Sequence, residues 1–261
     1  MIVKVSSATL LGLEAIPITV EVDTAQGLPQ ETIVGLPDTV VKESKKRIKA
    51  ALKNSGFDYP LNVYTINLSP SHLKKEGAFL ELAIATGILQ ATKQLPPFKN
   101  PTLLLGSVSL DGSIEPIKGI LSLCHPLLES HPDTTIIVPK ENIPDLHVLA
   151  SSRIIGISRL KELSQVPKAI PIPTQNHKPK PYNVDFGDVK GQYTAKRVLE
   201  IAMAGGHNCL FIGPPGSGKT MLMKRLHTIL PQLTKAQAIA TFKIHEQHGN
   251  SQRNQSSFFS P

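Results

Sequence analysis

The stretch Gly213-Pro214-Pro215-Gly216-Ser217-Gly218-Lys219-Thr220 fits the pattern G-x-x-x-x-G-K-[ST]. Its residue types suit one task, holding a chain of phosphates. Glycine lets the backbone turn tightly and keeps Cβ atoms out of an anion's way. The N–H groups left open, with those of a following helix, present positive partial charge. A lysine in this position reaches the β- and γ-phosphates of a nucleoside triphosphate, and the next hydroxyl ligates Mg2+. Gly213, Pro214, Pro215, Gly216, Ser217, Gly218, Lys219 and Thr220 are therefore the candidate nucleotide-binding residues, with ATP and Mg2+ as cofactors. Thr220 is the candidate magnesium ligand. A plain glycine-rich turn is the simpler reading, so the neighbours matter. Asn208-Cys209-Leu210-Phe211-Ile212 reads as a buried strand. Residues 221–230 are helix material stopped by Pro231. Strand, loop and helix come in the order a phosphate-binding loop requires.

A second cluster is cationic. Asp38 is placed to cap a helix in which Val40, Val41, Ile48 and Leu52 recur at helical spacing, ending near Ser55-Gly56. The other face carries Lys42, Lys45, Lys46, Arg47, Lys49 and Lys53, with Glu43 opposing. Such a face either tracks the phosphates of DNA or is simply solvated. The whole chain, 261 residues with a formal charge of +8, favours polyanionic partners in the same way. No apolar run approaches the roughly 20 residues that span a bilayer. The N-terminus lacks the basic-then-apolar order of a secretion signal. Cys124 and Cys209 cannot build a disulfide framework. A cytoplasmic protein without a membrane partner is expected.

The elements that must position these clusters make an α/β chain. Ile16-Pro17-Ile18-Thr19-Val20-Glu21-Val22-Asp23 alternates as a half-buried strand does, and Thr32-Ile33-Val34 and Val63-Tyr64-Thr65-Ile66-Asn67-Leu68 read likewise. Residues 78–89 are apolar almost all round, the pattern of a core helix. Residues 102–108 read as a strand, with a hairpin turn at Asp111-Gly112. Residues 119–130 read as a helix that Pro126 must kink or split. Residues 134–139 form a buried strand. Pro167, Pro171, Pro173, Pro179 and Pro181 then mark an extended linker. A helix over 195–204 is stopped by Gly205-Gly206, and the phosphate loop follows. The tail from Gly249 to Pro261 is polar and reads as disordered.

Several segments together carry a specific resemblance: Val34-Gly35-Leu36-Pro37-Asp38, Thr65-Ile66-Asn67-Leu68-Ser69-Pro70, Lys74-Lys75-Glu76-Gly77, Asp188-Val189-Lys190-Gly191-Gln192, and Ala204-Gly205-Gly206-His207-Asn208 running into the loop. Over most of its length the chain resembles the N-terminal half of the ComM (YifB) Mg-chelatase-like ATPases of bacteria. The resemblance implies an α+β domain over 1–165 with the ribosomal-protein-S5-domain-2-like fold shared with the proteolytic domain of Lon. It implies a linker over 166–182 and the start of an AAA+ ATPase domain over 183–261. It also implies a homo-hexameric, ATP-driven motor on DNA that promotes branch migration during natural transformation. The Lon likeness raises a Ser–Lys peptidase as an alternative. Phe79 and Leu121 occupy the serine and lysine positions, and neither can attack a carbonyl or take a proton.

Hydrolysis needs more than a phosphate loop. A further strand must end in an Asp that holds Mg2+, with a carboxylate beside it. Residues 221–261 show no such run. Ile239-Ala240-Thr241-Phe242-Lys243-Ile244-His245-Glu246 is nearest, and Thr241 and Lys243 spoil it. Weak ATP binding at best, without turnover, is the expectation. A non-catalytic interaction or DNA-binding module is the alternative from a different class.

Overall fold

Period-two alternation turns the first 25 residues into two long paired strands. In the computed structural model, which describes residues 2–75, 77–149, 151–166, 183–231 and 233–247, these are β1 (Ile2–Leu11) and β2 (Glu14–Ala25). They run antiparallel, with Val5 opposite Val20 and Ser7 opposite Ile18. The turn between them uses Gly12 at φ 62°. β3 (Gln30–Val34) leads through α1 (Thr39–Asn54) into β4 (Val63–Ser69), which pairs parallel with β3 and antiparallel with β2. α2 (Glu81–Ala91) follows, then β5 (Thr102–Leu104) and a small ribbon of β6 (Ser107–Val108) and β7 (Ile114–Glu115). α3 (Ile120–Ser130), β8 (Thr135–Pro139) and β9 (Ile154–Ile157) complete a seven-stranded sheet. Its order is β3-β4-β2-β1-β5-β8-β9, with every pair parallel except β1–β2 and β2–β4.

Side-chain parity decides which helix covers which face. Val5 and Val22 point at α2, where a Cβ on Gly87 would come within 2.6 Å of Val22. Glycine there lets the helix backbone sit directly on the strands. Every residue of α2 is buried, which accounts for its apolar circumference. Leu10, of opposite parity to Val5, faces the start of α3 instead: a Cβ on Gly119 would lie 2.5 Å from it. The N-terminus of α3 is met by Glu246. Its carboxylate accepts from the N–H groups of Leu121 and Ser122 at 3.4 Å and from the Ser122 hydroxyl at 3.3 Å. A negative group suits that end of a helix, while burial pushes the Glu246 carboxyl above its ordinary value.

The chain divides into two units. The described residues of the first are 2–166 and 243–247, and those of the second lie within 183–242. The second unit holds α4 (Tyr193–Gly205), α5 (Lys219–Met223) and the first part of α6 (Lys235–Gln247). Phe186, Val189, Leu199 and Leu222 form its buried centre, with Ala195, Phe211, Leu226 and Ile229 packed against them. Among the described residues no helix is long and apolar enough to cross a membrane.

Several local expectations change. Residues 208–212 are not a strand: a strand exists only by pairing, and no described segment hydrogen-bonds to them as a neighbour. Leu210 and Ile212 are exposed in consequence, and only Phe211 packs inward. The helix after the loop stops at Met223. The chain then makes a 3-10 turn at Leu226–Thr228, because the Thr228 hydroxyl bonds Arg225 O at 2.8 Å and accepts Phe186 N–H at 3.1 Å. The expected strand over 102–108 breaks after Leu104, where Leu105 and Gly106 donate to Ile137 O and Phe79 O. Pro126 does not split α3, whose buried residues on both sides of the proline hold it as one element. Residues 239–246 belong to the helix α6. The proline-rich linker beyond Val166 and the polar tail lie outside the described residues.

Candidate nucleotide-binding site

The phosphate-binding motif lies between two anchors. On its C-terminal side Leu222, buried in the small core, seats α5. On the N-terminal side Phe211 packs against the same core. Between them the loop reverses through Gly216 at φ 82° and Gly218 at φ 85°, a region that favours glycine. A Cβ on Gly216 would meet nothing within 4 Å, so backbone conformation rather than crowding calls for glycine. Gly218 caps α5 and accepts the N–H of Leu222 at 3.0 Å. Lys219 folds back across the loop. Its ammonium donates to Gly213 O at 2.7 Å, Pro214 O at 2.8 Å and Ser217 Oγ at 3.1 Å. All three partners are uncharged oxygens, so the positive charge remains available to an approaching anion. Thr220, Gly213, Pro214, Pro215 and Gly216 are exposed, and Ser217 and Gly218 half-buried. The arrangement offers a lysine, a hydroxyl and a glycine-turned backbone within one short loop, the donor set a magnesium-bound triphosphate needs.

One contact at this loop gives a role to a residue whose role the sequence left open. Gln192, at the head of α4, donates its side-chain amide to Ser217 O at 3.0 Å. The residues 188–192 carry the family resemblance, but nothing in their spacing places that amide against the loop.

The basic helix is capped as expected: Asp38 accepts the N–H of Val41 at 2.8 Å, and its second oxygen accepts Gly77 N–H at 3.1 Å. Its six cations part into two groups. Lys45 donates to Glu31 O at 3.0 Å. Lys49 lies 3.6 Å from the Glu31 carboxylate and 5.1 Å from the centre of the Tyr59 ring. Arg47 pairs with Glu81, a buried carboxylate that also accepts from Ser107 Oγ at 2.9 Å and Val108 N at 2.8 Å. These three are tied into the fold. Lys42, Lys46 and Lys53 are exposed and face solvent. Only tertiary structure brings Glu31 and Glu81 to this helix.

A third site emerges where separate segments meet. Lys75 is wholly buried, and its ammonium donates to Gly35 O at 2.8 Å and to Pro70 O. Its backbone bonds Leu36 O and receives Asp38 N–H. At Gly35, φ 93°, any Cβ would collide with Leu68 O. Three of the segments that carry the resemblance thus converge on one lysine. Burial holds its pKa below the ordinary value.

Phe79 lies in the 3-10 turn Ala78–Leu80, and Leu121 is fully buried in α3. Neither position offers a nucleophile or a base. The purified chain is expected to leave casein intact. Cleavage that co-purifies with it and vanishes when residues around Phe79 are altered would contradict this.

With the geometry in place, the comparisons with known proteins are specific. Residues 20–142 match the family model for subunit ChlI of Mg-chelatase, and residues 185–261 match that for magnesium chelatase, subunit ChlI. The chain is 39% identical over 248 residues to YifB of Escherichia coli strain K12, covering 92% of this chain and 48% of that protein. It is 35% identical over 250 residues to the competence protein ComM of Haemophilus influenzae, covering 92% of this chain and 49% of the relative. The chain belongs to the Mg-chelatase ChlI-like family that contains YifB and ComM. It spans about half the length of these curated relatives.

Proposed function

We propose that this chain binds ATP with Mg2+ through residues 213–220, as the nucleotide-binding part of an AAA+ ATPase that processes DNA. The observation that carries the reading is the loop itself: two left-handed glycines and a lysine whose ammonium is drawn across it by neutral oxygens. Lys219 would exchange those oxygens for β- and γ-phosphate oxygens, and the Thr220 hydroxyl would hold the metal. When bound, the magnesium ion neutralises charge on the phosphates. Residues 1–165 would form a domain of the S5-domain-2-like kind, 166–182 a linker and 183–261 the start of the AAA+ domain. A homo-hexamer in the cytoplasm and branch migration of recombination intermediates would follow from the family resemblance, and the ComM relative is itself named a competence protein. Calorimetric titration with ADP and ATP in magnesium tests the reading. No heat of binding at millimolar nucleotide would sink it.

DNA contact would fall to the exposed cations of α1. Reversing Lys42, Lys46 and Lys53 to Glu is expected to weaken binding to all DNA sequences alike. The slope of log K against log salt should fall by roughly one per lysine lost. Melting temperature should hardly move, since these side chains face solvent. Unchanged affinity would reduce the helix to a solvated face.

One observation favours a second reading, a binding module without turnover. Residues 239–246 are helical, and their Glu246 is engaged at the N-terminus of α3 rather than held out for a metal. Phosphate release tests this second reading: the module binds nucleotide and releases none.

A further inference from the structure

We propose that Gln192 is a positioning residue of the phosphate loop, fixing the Ser217–Gly218 peptide in the orientation that receives phosphate. The proposal rests on the nucleotide-binding reading of residues 213–220.

Its ground is an unusual backbone. Gln192 sits at φ 54°, ψ 35°, a left-handed conformation that a residue with a side chain seldom adopts. Gly191 before it is also left-handed, at φ 69°. Lys196 N–H closes the first turn of α4 on Gln192 O at 2.9 Å, so the residue is held there by the helix it starts. Glycine would occupy this position at less cost. A strained residue that keeps a long side chain points to work done by that side chain. Here it donates to Ser217 O at 3.0 Å.

The consequence follows from peptide geometry. The Ser217 carbonyl and the Gly218 N–H belong to one planar trans unit and point in opposite directions. Pinning the carbonyl toward Gln192 therefore pins the Gly218 N–H the other way. Without a tether this unit turns over easily, because Gly218 accepts either sign of φ. In a loop whose N–H groups hold the anion, an inverted peptide would present an oxygen to a phosphate instead. Gln192 selects one orientation from outside the motif. The nearest atom to a Cβ built on Gly218 is the same Gln192 amide nitrogen, at 3.9 Å, so the tether lies beside the loop without filling it.

Gln192→Gly tests this in the full chain, because glycine suits the left-handed backbone while removing the donor. Its melting temperature should match or exceed that of the parent. Its affinity for magnesium ADP, by calorimetry, should fall about tenfold, the upper range for one hydrogen bond. Gln192→Glu keeps the length, loses the donor and should weaken binding at least as much. In the absence of nucleotide, the backbone amide NMR signals of Gly218 and Lys219 should shift and broaden in both variants as the peptide turns over. Parent-like affinity in Gln192→Gly, or parent-like amide signals in both variants, would overturn the tether. If the parent chain binds no ADP, the nucleotide reading fails by itself, and the NMR arm alone decides whether Gln192 holds the loop.

Discussion

Lys219→Ala is expected to weaken magnesium ADP and ATP binding a hundredfold or more. A charge-assisted contact to phosphate is worth about 3 kcal/mol at the upper end, and about 1.4 kcal/mol corresponds to tenfold. The change should leave the fold alone. Gly213 O and Pro214 O, the main partners of the ammonium, lie at the exposed side of the loop and can turn to water. Leu222 still anchors α5. Loss of binding at constant melting temperature is thus the signature, and calorimetry beside thermal unfolding reads it. Lys224→Ala, one turn on and exposed, is the control and should bind as the parent does. Phosphate release by the 261-residue chain should stay at background with and without DNA. DNA-stimulated release that disappears in Lys219→Ala would show carboxylates acting where none has been placed.

Lys75→Ala should have the largest effect on stability, about 3–5 kcal/mol, from two orphaned buried carbonyls at about 1–3 kcal/mol each with the cavity added. Gly35 O and Pro70 O would be left without a donor in a place water does not reach, and the stem of the side chain would leave a cavity. Lys75→Met keeps most of that volume and should cost less, about 2 kcal/mol, which isolates the two orphaned carbonyls. A pH dependence accompanies the change. Burial lowers the folded pKa of Lys75 below its ordinary 10.5, so just below 10.5 the unfolded chain binds more protons. Stability contributed by this residue therefore rises as pH climbs through that window. Urea unfolding at about pH 7 and about pH 9.5 should show the rise in the parent and lose it in Lys75→Met. Equal stability of parent and Lys75→Ala would mean that the three converging segments hold together without the lysine.

The phosphate loop was legible in the chain because its chemistry is local. A turn needing φ > 0 at Gly216 and Gly218, followed at once by Lys219 and Thr220, is written in consecutive residues. The cap of α1 at Asp38, the alternation of β2 and β4 and the all-round burial of α2 were legible for the same reason: each follows from a period or a neighbour a few positions away. What depends on distant residues was not. The six cations of α1 looked alike in the sequence, and their division into bound and solvated groups depends on Glu31 and Glu81, which reach the helix only through sheet pairing and helix packing. The apolar run at 208–212 has a strand's composition, but composition cannot supply the neighbour that would make it one. Gln192 and Ser217 lie 25 positions apart, and Lys75 meets Gly35 from 40 positions away. Sequence determined which residues could do chemistry. Tertiary structure decided which donors meet which acceptors, because a hydrogen bond depends on distances and angles that no spacing along a chain encodes.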